Sequence, residues 1–438
     1  MFKLSNLSSL QLFQLIRYST FVLIGIGFAK LQLPQSVIGQ FETFILISGM
    51  VSFFWMSGII NSMLSIYPKK DEEEKKAVLF NTFVTLLLIS TVAGVVLLLF
   101  SQSLLSFLDK QSNGSLVQLS GAYLLLNNPS FISEYILFLN EKKKSILIYG
   151  TVTSVASVAV AITPVILNCP IEYSMYGLIV VALCRIMFSF FLLDKFANFN
   201  FNIQLQLTNL KLSLPLILSI FVSGSAEYID GLIVKAKFND MFFALYRYGS
   251  KELPVLLIIA NTFSTGMIPA IAANLEDGLK ELKDRSTKLM HVFFPLTIVL
   301  LLLSPVIYRY VFSESFVYSS IIFNIYLLLI IPRLLFPQTI LTGMQQTKYL
   351  LISAVLEIVL NVTLSIYLAG KIGLPGIALG TFIAYCFDKI FMIGVNYFVY
   401  GIKPYGYIKG IPFMLYSLAT IFAFAVSQYL FKIGFWDF

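Results

Sequence analysis

Fifteen charged side chains interrupt stretches that are otherwise apolar: Arg17, Lys30, Arg185, Lys235, Arg247, Lys251, Arg333 and Lys389, against Glu42, Glu134, Glu227, Asp230, Glu252, Glu357 and Asp388. At ~2.5–3.5 kcal/mol for each charge at the centre of a membrane helix, leaving them all against lipid would cost on the order of 40 kcal/mol. That is several times the stability of a typical fold, so most must face protein or water. Guanidinium and ammonium groups in such a place suit phosphate, which they hold by charge-assisted hydrogen bonds. Carboxylates there suit a proton or Na⁺.

Helical spacing sorts these residues into stripes. At 100° per residue, Ser219, Ser223, Glu227, Asp230 and Lys237 fall on one narrow face. Arg247, Lys251, Asn261 and Thr265 share another, beside Pro254, which can kink the helix. Gln11, Gln14 and Arg17 form a third stripe, Tyr123, Asn127, Ser130 and Glu134 a fourth, and Ser353, Glu357 and Asn361 a fifth. Stripes on several helices point to a common aqueous cavity. Lys30 and Lys235, and Arg185 or Lys389, are expected near helix ends, where long side chains reach the interface. Other chemistry has little support. Cys169, Cys184, Cys386 and the one histidine, His291, form no metal-ligand spacing and suggest no disulfide framework. No phosphate-binding glycine loop of the ATPase type is present.

The elements that must carry these stripes are membrane helices. The chain has 438 residues, 58% hydrophobic, 15% aromatic and only 12% charged, with a mean hydropathy of +0.87. A soluble protein carries about 25% charged residues, so ordinary cytosolic, disordered and disulfide-rich secreted classes are excluded. Thirteen apolar segments, near 11–33, 38–66, 77–100, 116–140, 145–167, 173–194, 211–236, 240–271, 288–311, 316–343, 348–369, 374–399 and 411–431, are each long enough to span a bilayer. The net charge of +8 is a topology signal and not a nucleic-acid footprint, because its lysines lie in short loops. With the N-terminus cytoplasmic, inside loops carry 17 Lys and Arg and outside ones 7, which favours that orientation. The charge runs 69–76 and 276–288 then read as cytoplasmic loops or short surface helices.

The two halves repeat at an offset near 205 residues, most clearly in the positions of their loops. An even number of helices per repeat makes the halves parallel. The expected fold is an all-α polytopic membrane protein: a 12-helix core of two parallel six-helix lobes around a central cavity, plus a 13th C-terminal helix. The lobes would be residues 1–195 and 211–400, joined by a cytoplasmic linker at 196–210, with the additional transmembrane helix at 411–431.

The segments AEYIDGLIV (226–234), ALYRYGSKELPVLL (244–257) and GMIPAI (266–271), and the N-terminal LIGIGFAKLQLPQSVIGQFETFILISG, resemble bacterial polysaccharide-repeat flippases of the Wzx type. These belong to the multidrug/oligosaccharidyl-lipid/polysaccharide (MOP) exporter superfamily. The resemblance covers about residues 10–400. It implies two six-helix lobes in the bacterial inner membrane and a cargo of undecaprenyl-pyrophosphate-linked oligosaccharide, moved from the cytoplasmic to the periplasmic leaflet during O-antigen or capsule synthesis. It also implies working partners in a polysaccharide polymerase and chain-length machinery, besides membrane lipid. A thirteenth helix departs from the family's usual twelve or fourteen.

On this reading Arg17, Arg247, Lys251, Arg333 and Asn261 are the candidate substrate-binding residues. Glu227, Asp230, Glu134 and Glu357 are the candidate ion-coupling residues, with H⁺ or Na⁺ as the coupling ion and no cofactor or catalytic group. Static pairing of Glu227 or Asp230 with Arg247 or Lys251 is the alternative. A cation-coupled multidrug antiporter and a lipid II flippase share the fold and stand as rival functions. A membrane-embedded oligosaccharide polymerase would call for a sizeable outside loop, and every outside loop here is short.

Overall fold

A computed structural model describes residues 6–103, 115–251 and 254–430, with the side chains of Ser219, Ser223 and Glu227, among others, outside the described set. Every regular element among the described residues is helical. The N-terminal half supplies α1 (Asn6–Lys30), α2 (Gln35–Ile66), α3 (Glu72–Leu99), α4 (Ser115–Ser130), α5 (Ile132–Leu139), α6 (Lys143–Ile166) and α7 (Glu172–Phe196). Then come α8 (Ile203–Lys237), α9 (Asp240–Gly249), α10 (Pro254–Ala273) and α11 (Leu275–Val311). The chain ends with α12 (Ser319–Leu327), α13 (Ile330–Arg333), α14 (Pro337–Gly343), α15 (Thr347–Ile372), α16 (Leu374–Phe398) and α17 (Gly410–Leu430).

Among the described residues nine of these are long and apolar enough to cross a membrane, and α12–α13 with α14, bent by 46°, form either a broken tenth span or a re-entrant loop. The segment expected near 211–236 lies within α8, whereas those expected near 116–140 and 240–271 are each divided, into α4 and α5 and into α9 and α10. The charged stretch 276–288, expected as a separate loop or short helix, is instead the start of the uninterrupted α11. Its pairs Glu276 with Lys280 and Glu281 with Arg285, one turn apart, support helix in water as well as in lipid.

The chain divides into two compact units. Unit 1 comprises residues 1–228 and 238–244, and unit 2 residues 229–237 and 245–438. Between α7 and α8 the non-helical stretch is only 197–202. It is fastened to α3: Asn81 Nδ2 donates to the Asn200 carbonyl at 2.9 Å, and Asn81 Oδ1 accepts from the Asn202 amide at 3.1 Å. Gln206 and Asn209, on the first turns of α8, continue the attachment through Thr85 and Ser62.

The sequence repeat is visible in local backbone geometry. The helical break at Phe131, between α4 and α5, recurs 205 residues later at Phe336, between α13 and α14. Glu141 and Gln345, 204 residues apart, both take the left-handed conformation (φ 55° and 60°) just beyond α5 and α14. A non-glycine residue there costs roughly 1–2 kcal/mol, so its recurrence marks a shared way of turning the chain.

Close approach of helices depends on glycine at two places that matter below. At Gly150 on α6 a Cβ would lie 2.5 Å from the Phe13 ring, so only glycine brings α1 this near. At Gly39 on α2 a Cβ would lie 2.0 Å from the Asp240 carbonyl oxygen. Backbone cannot retreat as a flexible side chain can. Gly39→Ala is therefore expected to destabilise the protein by about 1–3 kcal/mol, measured as a lower thermal midpoint in detergent. An unchanged midpoint would contradict the close contact.

Candidate functional site

Unit 1 holds a half-open cavity of about 500 Å³ whose wall is built by α1, α2, α4, α6, α7 and the unit 1 part of α8. Two arginines line it. Arg17 comes from α1, and its Nη1 donates to both carboxylate oxygens of Glu134 on α5, at 2.9 and 3.0 Å. The Glu134 side chain is 0% exposed, whereas that of Arg17 is 34% exposed. Arg185, in the middle of α7, donates from Nη1 to Asn127 Oδ1 at 2.6 Å and from Nε to the Tyr149 hydroxyl at 3.1 Å.

Both guanidinium groups lie over one ring, that of Phe131, at 4.6 Å for Arg17 and 5.1 Å for Arg185. Phe131 reaches this position because α4 stops at Ser130 and α5 starts at Ile132. The aromatic face attracts both cations and eases their mutual repulsion. Asn128, the neighbour of Asn127 on the same wall, is 3% exposed, and its Nδ2 has no hydrogen-bond partner. Such an orphaned donor on a cavity wall is a place where a ligand acceptor would be welcome. Tyr18, Tyr123, Ser52 and Phe53 add the hydroxyls and flat apolar faces that sugars use. Tyr228 stacks on Phe53 at 4.5 Å.

Unit 2 contains a second polar cluster, around Asp230 on α8, which is 1% exposed. Its Oδ2 accepts from the hydroxyls of Tyr246 (3.3 Å), Tyr326 (3.0 Å) and Thr381 (2.5 Å). Asn361 Nδ2 donates to Thr381 Oγ1 at 3.0 Å. Asp230 Oδ1 and Asn361 Oδ1 are both buried without a hydrogen-bond partner. A set of hydroxyl, amide and carboxylate oxygens with two unspent acceptors fits a hard monovalent cation or a proton. No group of three or more His, Cys, Asp or Glu side chains among the described residues would hold a transition metal.

The remaining sequence candidates fall in unit 2, and the structure separates some that spacing had joined. Arg247 and Lys251 do not share a helix, because α9 ends at Gly249 and Lys251 lies in the break before Pro254. Proline lacks the amide that would continue the helix, and it starts α10 instead of kinking one long helix. Lys251 Nζ sits over the Tyr248 ring at 4.7 Å. Asn261 is exposed on α10. Arg333 lies over the Tyr385 ring at 5.7 Å, and Lys389 over the same ring at 4.6 Å. Lys389 also pairs with Asp388 at 3.0 Å, with Glu357 as a further electrostatic neighbour. Of the expected Glu227–Asp230 pair, the Glu227 side chain lies outside the described residues.

Two expectations of long side chains reaching the interface are overturned. Lys235 is 2% exposed and buried, and Arg185 is mid-helix on the cavity wall. Arg185 finds polar partners in Asn127 and Tyr149 on other helices, which spacing along one helix does not reveal. Arg185, Asn128 and Phe131 are the site residues that sequence reasoning passed over. Arg185 did carry a signal, since it aligns with Lys389 at the repeat offset and each lies over an aromatic ring.

Residues 36–321, about two-thirds of the chain, match the polysaccharide biosynthesis protein family. No curated protein matches the chain in sequence. Among solved structures it is similar to the lipid II flippase MurJ in an inward closed conformation, with 18% identity over 96% of this chain and 98% of that one, at a TM-score of 0.67. It is similar also to an inward-facing multidrug resistance MATE family transporter of the MOP superfamily, with 13% identity over 94% and 96% of the two chains and a TM-score of 0.62. A MOP superfamily transporter from Pyrococcus furiosus, described as having a binding pocket of reversed polarity, shares 13% identity over 97% and 94% at a TM-score of 0.58. At these identities the likeness is one of fold, a two-lobed all-helical membrane architecture. The family match and that fold agree: this multi-pass membrane chain belongs to the polysaccharide biosynthesis protein family and shares its helical fold with these transporters.

Proposed function

We propose that the chain carries an undecaprenyl-pyrophosphate-linked oligosaccharide from the cytoplasmic to the periplasmic leaflet of the bacterial inner membrane, during synthesis of a surface polysaccharide. The observation that carries the reading is the pair Arg17 and Arg185, gathered over Phe131 on the wall of a 500 Å³ cavity. A diphosphate cannot enter hydrocarbon unassisted, and two guanidinium groups with the Asn128 amide offer it charge and directed donors. The cavity's tyrosines and serines suit the sugars that follow. Lipid II, also a diphosphate-linked sugar lipid, is the rival cargo, supported by the likeness to the MurJ fold. An antiporter of cationic drugs would gain nothing from two arginines facing its cavity. No catalytic step is assigned, and a polymerase role has no observation in its favour.

Deleting the gene should leave the cell without its surface polysaccharide and with lipid-linked oligosaccharide accumulating in the inner leaflet. Loss of peptidoglycan precursor export instead would reassign the cargo to lipid II. In unit 2, Arg247, Lys251 and Arg333 are proposed as further head-group cations. Arg247→Ala is expected to lower export, while Arg247→Lys would retain it if bare charge suffices.

Coupling is assigned to Asp230, which would take up H⁺ or Na⁺ among the oxygens of Thr381, Asn361 and the two tyrosines. The orientation proposed has the N-terminus in the cytoplasm, with lobes at 1–195 and 211–400. A cysteine introduced at Asn239 should then be labelled from outside by an impermeant reagent, and one at Lys143 should not. Outside labelling at position 143 would reverse the orientation.

A further inference from the structure

We infer that Glu134 makes cargo binding in unit 1 proton-linked: the diphosphate takes Arg17 away from Glu134, and the carboxylate left behind takes up a proton. The inference rests on the cargo reading above and adds a titratable partner to it. Arg17 is shared between two environments. Its Nη1 donates to both oxygens of the wholly buried Glu134, and about a third of the side chain is open on the cavity wall. An incoming phosphate bound by the rest of the guanidinium draws it toward the cavity and away from Glu134.

The groups around Glu134 decide what happens next. On its own helix stands Tyr135; from α1 comes Arg17 and from α7 Arg185, beside which lie Tyr123 of α4 and Tyr149 of α6. Arg185 is near enough to act on Glu134 electrostatically but makes no hydrogen bond to it, its Nη1 and Nε being held by Asn127 and Tyr149. The tyrosines bring no positive charge. A buried carboxylate deprived of its counter-ion is costly, and acquiring a proton removes that cost.

Charge balance points the same way. Arg17, Arg185 and Glu134 together carry +1, while a diphosphate diester brings about two negative charges. With Glu134 neutral, the site carries +2 and the loaded site is electrically balanced, as a low-dielectric interior requires. Phe131 keeps Arg17 within reach during the exchange, because the cation can pivot over the ring without leaving it. When the cargo departs, Arg17 re-forms the pair and the proton is released. Glu134 is thus a positioning residue that sets how tightly Arg17 is available to cargo.

The test uses purified full-length protein in detergent and a uridine diphosphate sugar, a soluble diphosphate diester whose own charge is constant between about pH 6 and 8. Affinity should fall by roughly tenfold per pH unit over that range, one proton being taken up per probe bound. The binding enthalpy should accordingly vary with the ionisation enthalpy of the buffer. Glu134→Gln should bind the probe with no pH slope, and at about pH 8 at least roughly tenfold more tightly than the parent. A parent whose affinity and enthalpy ignore pH and buffer, while Arg17→Ala still abolishes binding, overturns the proton linkage and leaves the cargo reading standing. Absence of probe binding, together with full export by Arg17→Ala, overturns both. Should Glu134→Gln fail to fold, the buffer dependence of the parent decides alone.

Discussion

Asp230→Asn is expected to abolish gradient-driven export while leaving membrane insertion near normal. The substitution keeps the shape and one acceptor oxygen for Tyr246, Tyr326 and Thr381, which donate to Oδ2 in the parent. What it removes is the charge that would bind a cation or proton. Charge-assisted bonds contribute about 1.5–3 kcal/mol, so losing one weakens cation binding by roughly 10–100-fold. Flipping in proteoliposomes should respond to an imposed Na⁺ or pH gradient with the parent protein and show no response with Asp230→Asn. Thr381→Ala and Asn361→Ala should reduce the response without eliminating it, since each removes a neutral oxygen. Parent flipping that ignores both gradients would end the assignment of Asp230 to coupling and return it to a packing role on α8.

The second large effect is expected at Arg185. Arg185→Ala removes a guanidinium from the cavity wall and leaves Asn127 Oδ1 and the Tyr149 hydroxyl without their donor. One lost charge-assisted interaction with an anionic head group, at about 1.5–3 kcal/mol, predicts a fall in export of roughly 10–100-fold. Arg185→Lys separates charge from geometry. A lysine restores the positive charge but cannot bond Asn127 and Tyr149 together while presenting a planar face to Phe131, so partial rescue is expected. Full export by Arg185→Ala, with the protein present at parental level, would show that the cavity's second cation serves packing alone.

Much of this protein follows from periodicity and composition. Apolar runs near twenty residues long admit only membrane helices, because hydrocarbon leaves backbone groups nowhere else to bond. The repeat at 205 residues is matched by the paired breaks at Phe131 and Phe336, which the continuous apolar runs 116–140 and 316–343 did not show. Arg17 and Glu134 were both legible as charges too costly for lipid, and so was Asp230.

Partnership was not legible, because it is a property of helices far apart in sequence. Arg17 and Glu134 stand 117 residues apart, and Asp230 and Thr381 stand 151 apart. Angular position on one helix says which residues share a face and nothing about which face of which other helix meets it. Arg185 was placed among interface-seeking side chains for that reason; packing of α7 against α4 and α6 turned it into the cavity. In the same way the end of α9 at Gly249 separated Arg247 from Lys251, a pair that an unbroken 3.6-residue period would have kept together. The sequence by itself determined a membrane-embedded, repeated, all-helical chain with charges that had to find polar company. Only the tertiary structure decided the company: two arginines over one phenylalanine in unit 1 and a ring of oxygens around Asp230 in unit 2, each assembled from helices whose meeting is set by long-range packing.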